Sequence, residues 1–158
     1  MADTRLPEDA NADRRRAMRA MAMASRDMLE TAWNGMESPP DWTWLRKPES
    51  GLVMLRGRTG GDGSPFNLGE ASVTRCAVTL EGGMTGFAWV MGRDGEKARL
   101  AALFDALWQT PDQRDLIERT VVTPALQALA DQDDRLAEQT AATKVDFFTM
   151  VRGEDEEL

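Results

Sequence analysis

The chain has 158 residues, which suits one domain with a hydrophobic core, and its net charge of −8 argues against a nucleic-acid-binding protein. It has no histidine and one cysteine, which excludes a Ser-His-Asp triad, the common zinc sites and an internal disulfide, and favours a reducing cytoplasm. No apolar run reaches the roughly 20 residues of a membrane helix, and the N-terminal residues lack a secretion signal.

The N-terminal part predicts a disordered leader over residues 1–11 and one helix over residues 13–33. Methionines, alanines and Leu29 recur there every three or four residues, as they do on one face of a helix. Four arginines crowd the start of this helix, where the helix dipole disfavours positive charge: Arg14, Arg15, Arg16 and Arg19. A solvated face is the simplest interpretation, and an anion or partner site is the alternative.

Two prolines then end the helix, and Trp42 and Trp44 follow in a linker or a short edge strand. Such tryptophans are either loop anchors in the chain's own core or contacts at an interface. Residues 51–58 predict a strand, and the glycine-rich residues 59–65 predict a turn. A phosphate-binding loop is less favoured there, since the Gly-Lys-Ser/Thr ending is missing.

The next stretch predicts a β-hairpin. Residues 66–68 begin a strand with Gly69 as a possible bulge, and residues 72–80 alternate with a period of two. Gly82 and Gly83 suit a two-residue hairpin loop before a return strand at residues 86–90. Cys76 lies in mid-strand without a base beside it, so a buried structural thiol is favoured over a nucleophile.

The C-terminal half predicts helices followed by one more strand. Residues 96–109 carry an apolar stripe, and Asp94 is placed to cap that helix. Two Thr-Pro pairs predict threonine-capped helices over residues 111–121 and 124–143, the second half-buried because Asp133 interrupts its stripe. Residues 145–152 are apolar on both faces, as in a central strand or one held against a partner, and an acidic tail ends the chain.

Together these elements predict an α+β fold with a single domain over residues 12–153. An antiparallel sheet of four or five strands is expected to pack against the N-terminal helix and the C-terminal group of helices. Five arginines on or beside the strands are candidates for binding phosphate or phosphonate: Arg56, Arg58, Arg75, Arg93 and Arg152.

Arg93 stands out among them, because it precedes a helix start where backbone N–H groups also favour anions. For any single arginine, a solvated or ion-paired role is favoured. For Asp94, a role as a general base or metal ligand is the alternative to its role as a helix cap. The residues by themselves therefore indicate no self-contained active site and no metal site.

Four blocks of the chain between about Gly51 and Gly153 are distinctive: GLVMLRGRTGGDGSPFNLGEASVTRCAVTL, GFAWVMGRD, AALFDAL and KVDFFTMVRG. In sequence and in order they resemble the PhnG family, the G subunits of the bacterial carbon–phosphorus lyase core complex. The resemblance implies partnership with H, I and J subunits, and with an L subunit for one step. In that step phosphonate replaces adenine at the ribose C1 of ATP, a transferase reaction for which ATP is a substrate and no cofactor belongs to this chain alone.

The resemblance also implies an essential companion of the other subunits, with no catalytic residue that can be carried over. Relatives often have histidine at the position of Lys97, so no imidazole role transfers, although a lysine can hold phosphate as a point charge. Two functions stay open: an interaction subunit, or a direct contributor of phosphate- or phosphonate-binding residues to a shared active site. The positions to test are Arg93 and Asp94, with Arg58, Arg75 and Arg152. An unrelated acidic regulator is a third interpretation.

Overall fold

An antiparallel sheet carries the fold, with strands β1 (Trp42–Arg58), β2 (Pro65–Leu80) and β3 (Thr85–Met91) in the order β1-β2-β3. The computed structural model describes residues 8–143. The predicted α+β class is confirmed. Within the described residues the sheet has three strands, fewer than predicted, and the predicted strand at residues 145–152 lies outside them together with the tail and most of the leader.

The sheet has fewer strands than predicted partly because segments predicted to be separate belong to the same strand. Trp42 and Trp44 belong to the long edge strand β1, where their rings meet edge to face at 4.8 Å and pack against the core. On β2 the chain runs through Gly69 without ending the strand. The pairing skips Leu68 between the pairs Leu55–Gly69 and Arg56–Asn67, which is the bulge expected there.

Both hairpin turns depend on glycines with positive φ. The loop between β1 and β2 contains Gly60 at φ 63° and Gly61 at φ 91°, so the glycine cluster closes a hairpin. Between β2 and β3 the predicted two-residue loop is wrong. Leu80 and Met84 are hydrogen-bonded across three residues, and Gly83 at φ 85° supplies the left-handed position that three-residue hairpin loops require.

The single N-terminal helix that was predicted is wrong, because the chain forms two helices, α1 (Glu8–Met23) and α2 (Arg26–Asn34). Ser25 adopts an extended conformation between them, and its Oγ accepts a hydrogen bond from the Met28 N–H at 3.2 Å. This N-cap satisfies a backbone donor that a continuous helix would have paired internally. The apolar residues keep their helical spacing across Ser25, so the sequence pattern could not reveal the break between the two helices.

Helix α3 (Gly95–Gln109) crosses the inner face of the sheet and forms the centre of the core. Its predicted stripe is completely buried: Leu100, Leu103, Phe104, Leu107 and Trp108. From the sheet it meets the alternate residues of β2 and β3, including Cys76, Val78, Ala88 and Val90. From the other side α1 and α2 pack against α3, so one helix joins both layers.

The C-terminal helices run without the threonine caps that were predicted. Helix α4 (Pro111–Ile117), a π-helical turn (Glu118–Val122) and α5 (Thr123–Ala142) follow one another directly. The Thr110 hydroxyl donates to the Ala106 carbonyl oxygen at 3.2 Å, and Thr123 is itself helical, so neither side chain caps the helix that follows it. The π-helical hydrogen bond from Thr123 N–H to Glu118 O continues the helix up to Pro124, which has no N–H to donate.

Helix α5 is buried only near its start and is exposed beyond residue 129, so it is less buried than the interrupted stripe predicted. Ala125 is buried, Leu126 is half-buried, and Leu136 is 61% exposed. Among the described helices, none is both long and apolar enough to cross a membrane.

Candidate functional site

The start of α3 holds three of the charged residues singled out in the sequence. Asp94 is the N-cap, with its Oδ1 accepting a hydrogen bond from the Lys97 backbone N–H at 2.9 Å. The Arg26 guanidinium lies 3.8 Å from the same oxygen and also pairs with Glu30 at 2.6 Å. The Asp94 carboxylate therefore already has a backbone donor and a cation beside it, which suits a cap better than a general base.

The two cations of this cluster differ in exposure. Arg93 is exposed immediately before the cap, whereas Lys97 is half-buried. Burial lowers the pKa of Lys97, against the opposing effect of the Asp94 carboxylate. The cluster can offer an exposed guanidinium and an ammonium to an anion, but the helix N–H nearest to Asp94 is occupied by the cap.

Arg75 lies elsewhere, in the middle of the sheet face that points away from α3. Its Nη2 is 3.3 Å from Glu49 Oε2, and its guanidinium lies over the Trp89 ring at 5.5 Å. Arg46 Nη1 reaches the same Glu49 oxygen at 3.2 Å. Hydrogen bonds from Arg46 and Arg75 lower the pKa of Glu49.

Arg58 lies at the far end of the β1–β2 hairpin, where its Nη1 donates to the Gly63 carbonyl oxygen at 3.0 Å. Arg56 precedes it on the same strand. The hairpin continues for seven pairs beyond the last pair of β2 with β3, about 20 Å at the usual rise of a strand. The structure thus distributes Arg93, Arg75 and Arg58 over three separate places, and Arg152 lies outside the described residues.

A cavity of about 420 Å³ between α2, α3 and α4 is the candidate for a small-molecule site. Its walls are mainly apolar and include Ala32, Met36, Phe104 and Ile117. None of the charged candidates above lines it. In the described part of the chain, no cluster of three or more histidine, cysteine or carboxylate side chains is placed to hold a metal ion.

Cys76 is buried under α3, as predicted. Burial raises the pKa of its thiol from 9.0 to about 11, with the Arg99 guanidinium opposing the effect. The reactive thiolate is therefore disfavoured in the folded chain.

Cys76 is expected to resist alkylation until the protein unfolds. A pKa two units higher lowers the thiolate fraction at pH 8 by about a hundredfold, and burial slows the reaction further. The measurement is the rate of iodoacetamide labelling followed by mass spectrometry, with the same chain in denaturant as control. Equal rates in the two conditions would contradict a buried, neutral thiol.

One side of the sheet presents an apolar surface, which we call the outer face. It is the sheet face opposite α3, together with the same side of the projecting hairpin, and its apolar members are Val53, Leu55, Phe66, Leu68, Val73, Phe87, Trp89 and Met91. Trp89 is 55% exposed and Leu68 is 66% exposed. On an ordinary antiparallel sheet this face would be polar.

Sequence reasoning missed the outer face because β3 is apolar on both sides. Gly86, Ala88 and Val90 alternate with Phe87, Trp89 and Met91, and the larger residues would normally be assigned to the core. The structure buries the small set under α3 and exposes the large set. The one signal available was the small size of Gly86 and Ala88, which suits close packing of a helix.

Comparison with known proteins gives consistent results. Residues 12–153 match the family described as phosphonate metabolism protein PhnG. A relative from Rhizobium meliloti (strain 1021), the alpha-D-ribose 1-methylphosphonate 5-triphosphate synthase subunit PhnG, is 49% identical over 144 residues. The matched region covers 91% of this chain and 92% of that relative.

Proposed function

Because the chain belongs to the family of phosphonate metabolism protein PhnG, we propose that it is an assembly subunit of a ribose 1-methylphosphonate 5-triphosphate synthase. In the proposed reaction the bond from ribose C1 to adenine breaks, and a phosphonate oxygen bonds to C1 while the 5-triphosphate is retained. The partners are the H, I and J subunits of a carbon–phosphorus lyase core complex, with an L subunit for this transfer, in the cytoplasm.

The outer face is the observation that carries this proposal. Apolar patches larger than a few hundred Å² are uncommon on monomeric proteins and mark surfaces that bind partners. Here three bulky side chains, Phe87, Trp89 and Met91, stand in a row on one strand and are exposed. Burial of such side chains under another subunit would stabilise the assembly, since tryptophan in particular is enriched at binding hot spots.

The residues of this chain suit a role in which other subunits carry out the chemistry. It has no histidine, and its single cysteine is buried with a raised pKa. The Asp94 carboxylate is engaged as a helix cap. The chain would then act by ordering the nucleotide site of its partners rather than by moving protons itself.

The test is adenine release from ATP and methylphosphonate by the purified H, I, J and L subunits, with and without this chain. We expect the tagged chain to co-purify with H, I and J, and adenine release to require it. Full activity of the other subunits in its absence, with no co-purification, would overturn the proposal.

A second candidate function is direct binding of phosphate or phosphonate at a shared active site. The exposure of Arg93 beside Lys97 at the start of α3 favours it, since an arginine can bind such an anion through two donors.

Replacing Arg93 by alanine separates the two functions. If the chain acts through assembly, adenine release by the reconstituted complex should stay within about twofold of the wild type, because no transition-state contact is lost. Arg135→Ala on the exposed part of α5 is the matched control for loss of one positive charge. A fall of about a hundredfold for Arg93→Ala alone, in a complex of unchanged composition, would favour the binding role.

A further inference from the structure

We propose that the outer face binds a subunit of different sequence. The partner's surface is apolar and carries at its centre a carboxylate that pairs with Arg75. This inference rests on the proposed function and adds the chemistry of the partner and the place where it binds. It follows from the charges on the outer face, from a depression in its surface and from the hairpin that extends it.

The charges at the centre of the outer face do not balance. Arg46 and Arg75 both point at one oxygen of Glu49, so two guanidinium groups share one carboxylate. In the free chain, water screens the remaining positive charge. Under an apolar partner that charge would be buried, and a buried charge without a counter-charge is strongly destabilising. A partner that covers this face must therefore supply an anion.

The surface beside Arg75 has room for such a group. A depression of about 280 Å³ is lined by Glu49, Val53, Val73, Arg75 and Trp89. Its walls are apolar on the side of the two valines, and the guanidinium lies across Trp89 on the other side. A glutamate or aspartate side chain entering from the partner would meet the guanidinium while its methylene groups contact Val53 and Val73.

A second copy of this chain fits the outer face poorly. Two copies packed face to face about a two-fold axis would each bring the same Arg46, Arg75 and Glu49 group. The interface would then bury two positive charges in excess, because each copy offers one carboxylate that is already engaged by two arginines. The charge pattern thus favours a partner of different sequence.

The projecting hairpin extends the same surface. Beyond β3 only residues 52–58 and 65–72 remain, and an isolated two-stranded ribbon is marginally stable in water. Leu55, Phe66 and Leu68 continue the outer face, while Leu52 and Met54 are exposed on the reverse side. Contact with a partner on both sides would stabilise the ribbon.

The experiment is co-purification of the tagged full-length chain with the H, I and J subunits, comparing Arg75→Glu and Trp89→Asp with the wild type. Each variant should lower the recovered partner by about tenfold or more, as expected for central residues of an interface. Both side chains are exposed, so the melting temperature of the isolated variants should be close to that of the wild type. Arg119→Glu and Leu136→Asp are controls at exposed positions away from the outer face.

Suppressor selection identifies the predicted carboxylate. Partner mutations that restore co-purification of Arg75→Glu should replace an aspartate or glutamate by lysine or arginine. Unchanged co-purification of both outer-face variants, or an equal loss in the two controls, would overturn this inference while leaving the assembly role intact. Failure of the wild-type chain to co-purify would overturn the assembly role itself.

Sedimentation of the isolated chain addresses the second copy directly. We expect a monomer. A dimer that Trp89→Asp dissociates would show that a second copy occupies the outer face, and would overturn the proposal of a different partner.

Discussion

Replacing Asp105 by alanine is expected to lower the free energy of unfolding by about 3 kcal/mol, because it breaks a partly buried ion pair and removes the acceptor of a backbone N–H. The Asp105 side chain is 1% exposed and forms two hydrogen bonds with Arg14, at 3.0 and 2.8 Å. It also accepts the Phe87 backbone N–H at 2.9 Å and lies 3.3 Å from Gln109 Nε2. One carboxylate thereby joins α1, α3 and β3.

The substitution should destabilise for two reasons. It leaves the Arg14 guanidinium without its counter-charge in a partly buried site, and it leaves the Phe87 N–H without this acceptor. Equilibrium denaturation by urea gives the free energy of unfolding. Glu30→Ala is the matched control, since it removes a carboxylate from the exposed Arg26–Glu30 pair and should have a much smaller effect, because water screens exposed ion pairs. Equal effects of the two substitutions would contradict a central role for Asp105.

Replacing Gly86 by alanine should destabilise the fold by about 3 kcal/mol or more, at or beyond the upper end of the usual cost of overpacking a core. A Cβ at this position would overlap the carbonyl oxygen of Ala102 and lie 2.6 Å from the Ala106 amide nitrogen. These atoms belong to the backbone of α3, which cannot rotate away as a side chain can. The helix and β3 would have to separate, which would loosen the packing at the centre of the core.

The control for Gly86→Ala is Gly51→Ala on β1. No atom lies within 4 Å of a Cβ added to Gly51, so this substitution should leave the stability unchanged or raise it slightly. Thermal and urea unfolding of the two variants supply the comparison. A Gly86→Ala protein as stable as the wild type would show that β3 and α3 are not held at this separation.

The sequence alone was sufficient for elements that depend on local chemistry. The stripe of α3, the Asp94 cap, the bulge at Gly69 and the glycine-rich hairpin turn all follow from neighbouring residues, and the structure has them where they were predicted. Local chemistry was insufficient where one residue is compatible with two conformations, a helix cap and a helix interior. Ser25 is compatible with a helix interior but caps a new helix, and Thr123 is compatible with a cap but lies inside a helix.

The arginines show a second kind of limit. The run at residues 14–16 was interpreted as a solvated face, yet Arg14 pairs with Asp105, 91 positions along the chain, and Arg16 pairs with Glu118, 102 positions along. Trp108 Nε1 donates to the same Glu118 oxygen at 2.7 Å, so that carboxylate joins α1 and α3 at the π-helical turn. A pattern of nearby residues carries no information about partners so distant in sequence.

The sequence by itself determined the α+β class, the antiparallel hairpins, the buried Cys76 and the resemblance to the PhnG family, because period, turn chemistry and sequence blocks are properties of short segments. Only the tertiary structure decided which side of β3 is buried. Gly86 allows α3 to approach the sheet so closely that the small residues lie inside, and this leaves Phe87, Trp89 and Met91 exposed. The position of a helix over a sheet depends on contacts between segments that are distant in sequence. The outer face, on which the proposed assembly rests, depends on the same contacts.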